Sequence, residues 1–122
     1  MKEYSTKSNN YIVGKSGEKI AEEYLKKKGY KILEVNFVNN VGEIDIIARQ
    51  KNIYVFVEVK YRKNDYFGLP REAVNTYKQR KIRAVANSYI KRYNLYDNVC
   101  RFDVIEILDD QITHIENCFW IY

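Results

Sequence analysis

Gly42-Glu43-Ile44-Asp45-Ile46-Ile47-Ala48 and Ile53-Tyr54-Val55-Phe56-Val57-Glu58-Val59-Lys60 decide how this chain is read. Both runs are rich in Val and Ile and are separated by the polar Arg49-Gln50-Lys51, so they read as two β-strands joined by a short turn. Asp45, Glu58 and Lys60 interrupt their apolar background. Glu and Lys are poor strand residues, and a carboxylate set among Val and Ile is costly to desolvate unless something pairs with it. Strand side chains alternate, so Glu58 and Lys60 share one face while Val57 and Val59 take the other. Asp45, on the adjoining strand, can approach Glu58 across the ladder.

Outward from this pair the rest of the domain follows. Upstream, Val13, Gly17, Ile20, Ala21 and Tyr24 recur at helical spacing, which predicts a helix from about Tyr11 to Lys28 with Gly29 as its C-terminal cap. Gly17 weakens that helix, so it marks close packing against the sheet. Tyr30 to Phe37 reads as a strand, Val38-Asn39-Asn40 as a turn, and Val41–Ala48 and Asn52–Tyr61 as the next strands of an antiparallel meander. Residues 62–75 hold Gly68, Leu69 and the only proline, Pro70, and read as loop. Thr76 and Gln79 match a capping box. The helix they open runs to about Tyr93 and buries Ile82, Val85, Ala86, Tyr89 and Ile90, and Tyr24, Tyr77, Tyr89 and Tyr93 read as core tyrosines. Strands Arg101–Leu108 and Ile112–Trp120 flank the turn Asp109-Asp110-Gln111. The order αβββαββ predicts an α/β fold, a sheet covered by helices. One domain is expected over residues 11–122, after a polar segment, Met1 to Asn10, expected to be disordered.

With 122 residues, 46% apolar and 30% charged, the composition is that of a soluble globular domain. No apolar run approaches the roughly 20 residues that span a bilayer, and Met1-Lys2-Glu3 opens no signal-peptide core, so the expectation is a cytoplasmic protein without a membrane partner. Cys100 and Cys118 then read as reduced thiols; neither has a CxxC or histidine partner for zinc, and a disulfide between them is the lesser alternative. The net charge of +5 is unevenly spread. Residues 60–92 carry ten Lys/Arg against Asp65 and Glu72, whereas residues 93–122 carry Arg101 against six acids. Such a basic stretch fits a phosphate backbone, or, as the plain alternative, a solvated helix face.

Two carboxylates and a lysine in this setting point to metal-assisted phosphodiester chemistry. Asp45 and Glu58, with a backbone carbonyl such as that of Val59, would supply half of an oxygen set for Mg²⁺ or Mn²⁺, completed by water and phosphate. Lys60 would orient the attacking water or neutralise developing charge, and Glu18 on the first helix could add a further carboxylate. The plain alternative is an amphipathic strand with Asp45 closing a salt bridge. Arg62, Lys63, Lys78, Arg80, Lys81 and Arg83 are candidate phosphate contacts, the last four opening a helix whose N-terminus also suits anions. Gln79 serves the cap or reaches into the site. Glu43 either backs Asp45 on the same face or is an exposed strand residue. His114, the only histidine, and Asp103 are read as structural. Tyr61, Tyr66 and Phe67 offer stacking surfaces for an unpaired base, with ordinary rim packing as the default.

In this order the residues resemble the PD-(D/E)xK nuclease-like superfamily and, more narrowly, the YraN-like family of small bacterial proteins. The resemblance runs from about Gly14 to Phe119 and rests on Gly17-Glu18-Lys19-Ile20-Ala21, Gly42-Glu43-Ile44-Asp45, Phe56-Val57-Glu58-Val59-Lys60-Tyr61-Arg62, Gly68, Ala73-Val74, Lys78-Gln79-Arg80-Lys81 and Arg101-Phe102-Asp103-Val104. It implies a restriction-endonuclease-like αβββαβ(β) core, with a mixed central sheet flanked by helices, as in Holliday-junction resolvases. It also implies that the residues matching Asp45 and Glu58 hold the metal, that the one matching Lys60 assists catalysis, and that Glu18 completes the site. The superfamily's proline before the first aspartate is replaced by Ile44. The function implied is a metal-dependent endonuclease on DNA, ahead of RNA, with branched or structured substrates, working as a homodimer where two strands are cut. The competing reading is a non-catalytic nucleic-acid-binding or protein-interaction module that keeps the fold.

Overall fold

The computed structural model describes the backbone of residues 7–62 and 76–118 and the side chains of residues 17–61 and 76–118. Its elements are α1 (Lys7–Lys27), β1 (Lys31–Val38), β2 (Glu43–Gln50), β3 (Ile53–Arg62), α2 (Thr76–Arg92), β4 (Val99–Leu108) and β5 (Gln111–Ile115). The five strands form one sheet in chain order. β1, β2 and β3 are the expected antiparallel meander, β4 runs parallel to β3, and β5 returns antiparallel on β4. The sheet is therefore mixed, with the two helices on opposite faces.

Strand alternation divides the core into two layers. Ile47, Phe56, Phe102 and Val104 pack with Ile82, Val85, Ala86, Tyr89 and Ile90 of α2. Ala48, Val55, Val57, Ile105 and Ile107 pack with Ala21 and Leu25 of α1. The five residues expected to be buried on α2 are the five found there. On α1 the buried stripe is Gly17, Ala21 and Leu25, one every four residues, which turns Ile20 outward to 39% exposure. Tyr77 and Tyr93 also depart from expectation, at 66% and 48% exposed, because α2 fills its seam with aliphatic residues and Tyr89. Helix α1 begins at Lys7, so Lys7–Asn10 are helical; residues 1–6 lie outside the described residues. β5 ends at Ile115, short of Trp120, and Cys118 follows with its N–H donated to the Phe102 carbonyl at 2.7 Å. Cys100 and Cys118 are free thiols. Among the described residues no helix is long and apolar enough to cross a membrane.

Both helices stop by the same device. Gly29 (φ 92°) follows α1, and Tyr30 N–H reaches back to the Leu25 carbonyl at 2.9 Å; Asn94 (φ 52°) follows α2, and Leu95 N–H reaches the Ile90 carbonyl at 2.9 Å. A left-handed residue just past the helix lets the next amide satisfy an otherwise orphaned carbonyl. These ends aim Tyr30 and Leu95 into the two core layers.

A buried polar network ties β4 and β5 to α1. Asp103, with no exposed side chain, accepts from Arg101 Nε (2.9 Å) and Nη2 (2.8 Å) and from Asn117 N–H (3.1 Å), and lies 2.6 Å from His114 Nε2. His114 Nδ1 is 3.1 Å from the Tyr24 hydroxyl, and Arg101 Nη2 donates to the Tyr30 hydroxyl at 2.7 Å. Burial raises the Asp103 pKa, but the bonds from His114, Arg101 and Asn117 outweigh it and hold the carboxyl below its ordinary value. His114 and Asp103 thus have the structural role read for them.

Candidate active site

Asp45 occupies a singular place in β2. Every other residue of that strand is paired with β1 or β3, whereas Asp45 is paired with neither. The β2–β3 ladder stops at Ile46↔Val57, and one step further in the same register Asp45 stands opposite Glu58. On the other side it faces Asn36, whose φ of 55° is left-handed within β1. The alternation breaks as well: Ile44 packs with the α2 layer and Ile46 with the α1 layer, although residues two apart ordinarily share a face. Irregularities of this kind re-aim a side chain. Here the freed carboxylate turns into the gap between β2 and β3 and accepts the Val59 N–H at 2.8 Å.

Glu58, on the α2 face of β3, is 8% exposed. Its Oε2 lies 2.5 Å from Lys78 Nζ of α2 and 3.5 Å from Lys60 Nζ two residues along β3. The two ammonium groups share one acid unequally, and their pKa values part. Burial depresses the Lys60 pKa, and the neighbouring Lys78 lowers it further, so it falls below the ordinary lysine value. Burial opposes the charge on Lys78 too, but the hydrogen bond and charge of Glu58 outweigh it and hold that lysine above its ordinary value. The Asp45 carboxyl is pushed up to about 7, first by burial, then by the charge of Glu58, with Glu18 adding to it. Asp45, Glu58, Lys60 and Lys78 are thus one electrostatic cluster, with Glu18 at its α1 side. Gly17 sets that helix close: a Cβ there would lie 3.3 Å from Cβ and Cδ2 of Tyr61, so α1 rests on the end of β3 and brings Glu18 with it.

The donors can be weighed against the cation that the resemblance implies. At Asp45, burial and two further carboxylates outweigh the charge of Lys78, so its oxygens have room for more positive charge, and carboxylate oxygens suit a hard divalent ion. Lys78 supplies positive charge at Glu58. Among the described residues no three His, Cys, Asp or Glu side chains are gathered as a ready-made ligand group. By charge and atom type Asp45 and Glu58 fit a Mg²⁺-like ion that takes its remaining ligands from water and phosphate.

The other candidates scatter. Glu43 is an exposed strand residue, the second of the two readings given for it. Gln79 Oε1 accepts from Arg83 Nη2 at 3.3 Å, which ties those two residues to each other on α2. Thr76 is the first residue of α2. Arg80 lies on the open side of α2, and Lys78, grouped with it as a phosphate contact, sits instead in the acid cluster. The Arg62 side chain, Lys63, Tyr66 and Phe67 lie outside the described residues. Tyr61 packs with the α1 layer, its default role.

Glu106 went unnoticed in the sequence. It is 4% exposed, in register with Lys60 on the parallel neighbour β4. The signal was available: Ile105-Glu106-Ile107 embeds a carboxylate among apolar residues as Val57-Glu58-Val59 does.

The model of the uncharacterised protein family UPF0102 matches residues 17–107, from the glycine that seats α1 to the strand that carries Glu106. The chain belongs to this family. A UPF0102 protein of Caldanaerobacter subterraneus is 50% identical over 120 residues, covering 93% of this chain and 98% of that protein. Another, from Thermodesulfovibrio yellowstonii, is 52% identical over 108 residues, covering 88% and 96%. Among solved structures, the crystal structure of SSO0001 aligns with a TM-score of 0.47 at 18% identity, over 88% of the UPF0102 chain and 52% of its own.

Proposed function

We propose that this UPF0102 protein is a metal-dependent phosphodiesterase of the PD-(D/E)xK kind, an endonuclease for branched or otherwise structured DNA. The observation that carries the reading is the convergence of Asp45, Glu58, Lys60 and Lys78 where β2 parts from β3. A sheet gains nothing in stability from a half-buried acid pushed up to about 7. Costly polar groups of this kind cluster at functional sites.

Asp45 and Glu58 would hold Mg²⁺ or Mn²⁺, with Glu18 supporting them from α1. A divalent ion supplies a water of lowered pKa and positive charge beside the phosphate oxygens. Around it, the Val59 N–H fixes the Asp45 carboxylate in position. Lys60, half-buried and held below its ordinary pKa, presents an N–H to the attacking water or a phosphate oxygen and gives up a proton more readily than a surface lysine. With Glu58 holding the cation, the Lys78 ammonium beside it would be placed to neutralise the substrate phosphate. On this reading the protein is cytoplasmic and pairs as a homodimer where two strands are cut.

One observation favours a second reading. The Lys78–Glu58 ion pair satisfies an acid of the site, and the described residues hold no ready-made group of three ligands. A nucleic-acid-binding or protein-interaction module that cleaves nothing would look the same. A cleavage screen over linear, nicked, flapped and four-way DNA in Mg²⁺ or Mn²⁺ separates the two. The nuclease reading expects products that disappear in Asp45→Asn and Lys60→Ala. No product from any substrate selects the module, and products undiminished in both variants assign the cleavage to another site.

A further inference from the structure

Tyr77, Arg80, Lys81 and Ala84 form a stripe along the first turns of α2, and with Val41 they line a concavity of about 270 Å³. Val41 belongs to the β1–β2 turn, which is built rather than draped. Asn39 Oδ1 accepts the N–H groups of Val41 (2.8 Å) and Gly42 (3.1 Å), and Asn39 Nδ2 donates to Ser88 Oγ of α2 at 2.9 Å. Both walls of the concavity are therefore fixed to each other. Val41 and Ala84 give the lining an apolar part, and Arg80 and Lys81 give it two cations.

Tyr77 is the unusual member. It is 66% exposed on a helix that buries its other large apolar residues, Ile82, Val85, Tyr89 and Ile90. Lys81 Nζ stands 5.5 Å from the ring centroid. An exposed aromatic residue, apolar neighbours and two flanking cations match the parts of one nucleotide: a base to stack and a phosphate to neutralise. The neighbouring residue on α2, Lys78, is the one that reaches Glu58.

We propose that the Tyr77–Arg80–Lys81–Val41 concavity is a subsite for one unpaired nucleotide of a nucleic-acid strand. The base stacks on Tyr77 over Val41 and Ala84, and the phosphate is held by Arg80 and Lys81. A base inside a duplex has no free face to offer, so the substrate class narrows to single-stranded tails, flaps and splayed ends. The assignment of this strand as substrate rests on the phosphodiesterase reading; the binding itself does not require cleavage.

The test is fluorescence anisotropy of the full chain in EDTA with labelled single-stranded DNA, single-stranded RNA of matching sequence, a blunt duplex and an abasic strand. The single strands bind more tightly than the duplex, and the DNA and RNA arms show which is preferred. Tyr77→Ala weakens the single strand about tenfold, within the range for one stacked base, and Tyr77→Phe restores it. The abasic strand binds wild type more weakly and is indifferent to Tyr77→Ala. Because Tyr77 is exposed, its variants keep the wild-type urea midpoint, which a parallel denaturation records. Equal affinity of wild type and Tyr77→Ala, or failure of Tyr77→Phe to restore binding, overturns the subsite. If acid-dependent cleavage is seen with Tyr77-independent binding, the subsite alone fails; if Tyr77-dependent binding is seen without cleavage, the hydrolytic reading alone fails.

Discussion

Two aspartates in this protein titrate in opposite senses, and each can be isolated. The Asp45 carboxyl is pushed up to about 7, mainly by burial and then by Glu58. Below its unfolded value, near 3.8, the acid is neutral in both states. Between that value and about 7, the folded protein holds a proton that the unfolded chain has released, so stability falls as pH rises, by up to about 1.4 kcal/mol per pH unit. Asp45→Asn keeps an acceptor for the Val59 N–H and removes the charge, so its urea midpoint exceeds wild type at neutral pH and the two converge toward pH 4. A wild-type midpoint as high as the variant's at neutral pH would show that the acid is not destabilised. Asp103 is the reverse case. Its pKa is held below the ordinary value, so its contribution is fully present above the unfolded carboxylate range and is lost as pH falls through the lowered folded value. Asp103→Ala leaves half-buried Arg101 facing an empty site and costs up to about 3–5 kcal/mol in chemical denaturation, the penalty for breaking a fully buried charge pair from one side. A loss under about 1 kcal/mol would mean that Arg101 finds water or Glu116 instead, 3.7 Å away.

Helix α1 meets the sheet through Gly17, where even a Cβ would stand 3.3 Å from Tyr61. Gly17→Val overpacks that contact and costs about 1–3 kcal/mol by urea titration. Because Glu18 rides on the same turn, the variant also weakens divalent-ion uptake; full stability together with unchanged uptake would contradict this seating. How much of an element is legible depends on whether its signal is local. Gly17 and Gly29 were readable because each answers a local need, close approach in one case and a left-handed cap in the other. The meander was readable because Arg49-Gln50-Lys51 leaves little chain to connect its second and third strands, and the turn closes over Lys51 (φ 55°) and Asn52 between paired Gln50 and Ile53. The parallel pairing of β3 with β4 had no local signal, since a long connection separates them. The irregularity at Asp45 was hidden as well: Ile44 and Ile46 look like one face in sequence, and only packing puts them on two. Tyr77 misled because a tyrosine at helical spacing suits core and surface alike.

For the whole molecule, the mixed sheet brings residues 45, 58, 60 and 78 together from β2, β3 and α2, with α1 closing one side. Lys60, Arg62, Lys78, Arg80, Lys81, Arg83, Lys91 and Arg92 lie on β3 and α2, and the acids from Asp97 to Glu116 lie on β4 and the segments flanking β4 and β5. On the proposed reading, a strand of nucleic acid would be drawn toward α2 and away from the β4–β5 turn, and this attraction would weaken as salt rises. The central claim is that two acids from neighbouring strands share one divalent cation. Calorimetric titration of Mn²⁺ into the metal-free protein at neutral pH tests it most directly, on wild type, Asp45→Asn and Glu58→Gln. The account predicts saturable uptake of one ion by wild type, with proton release from the Asp45 carboxyl, and no uptake by either variant. Uptake by wild type and both variants alike, or by none of the three, would contradict it.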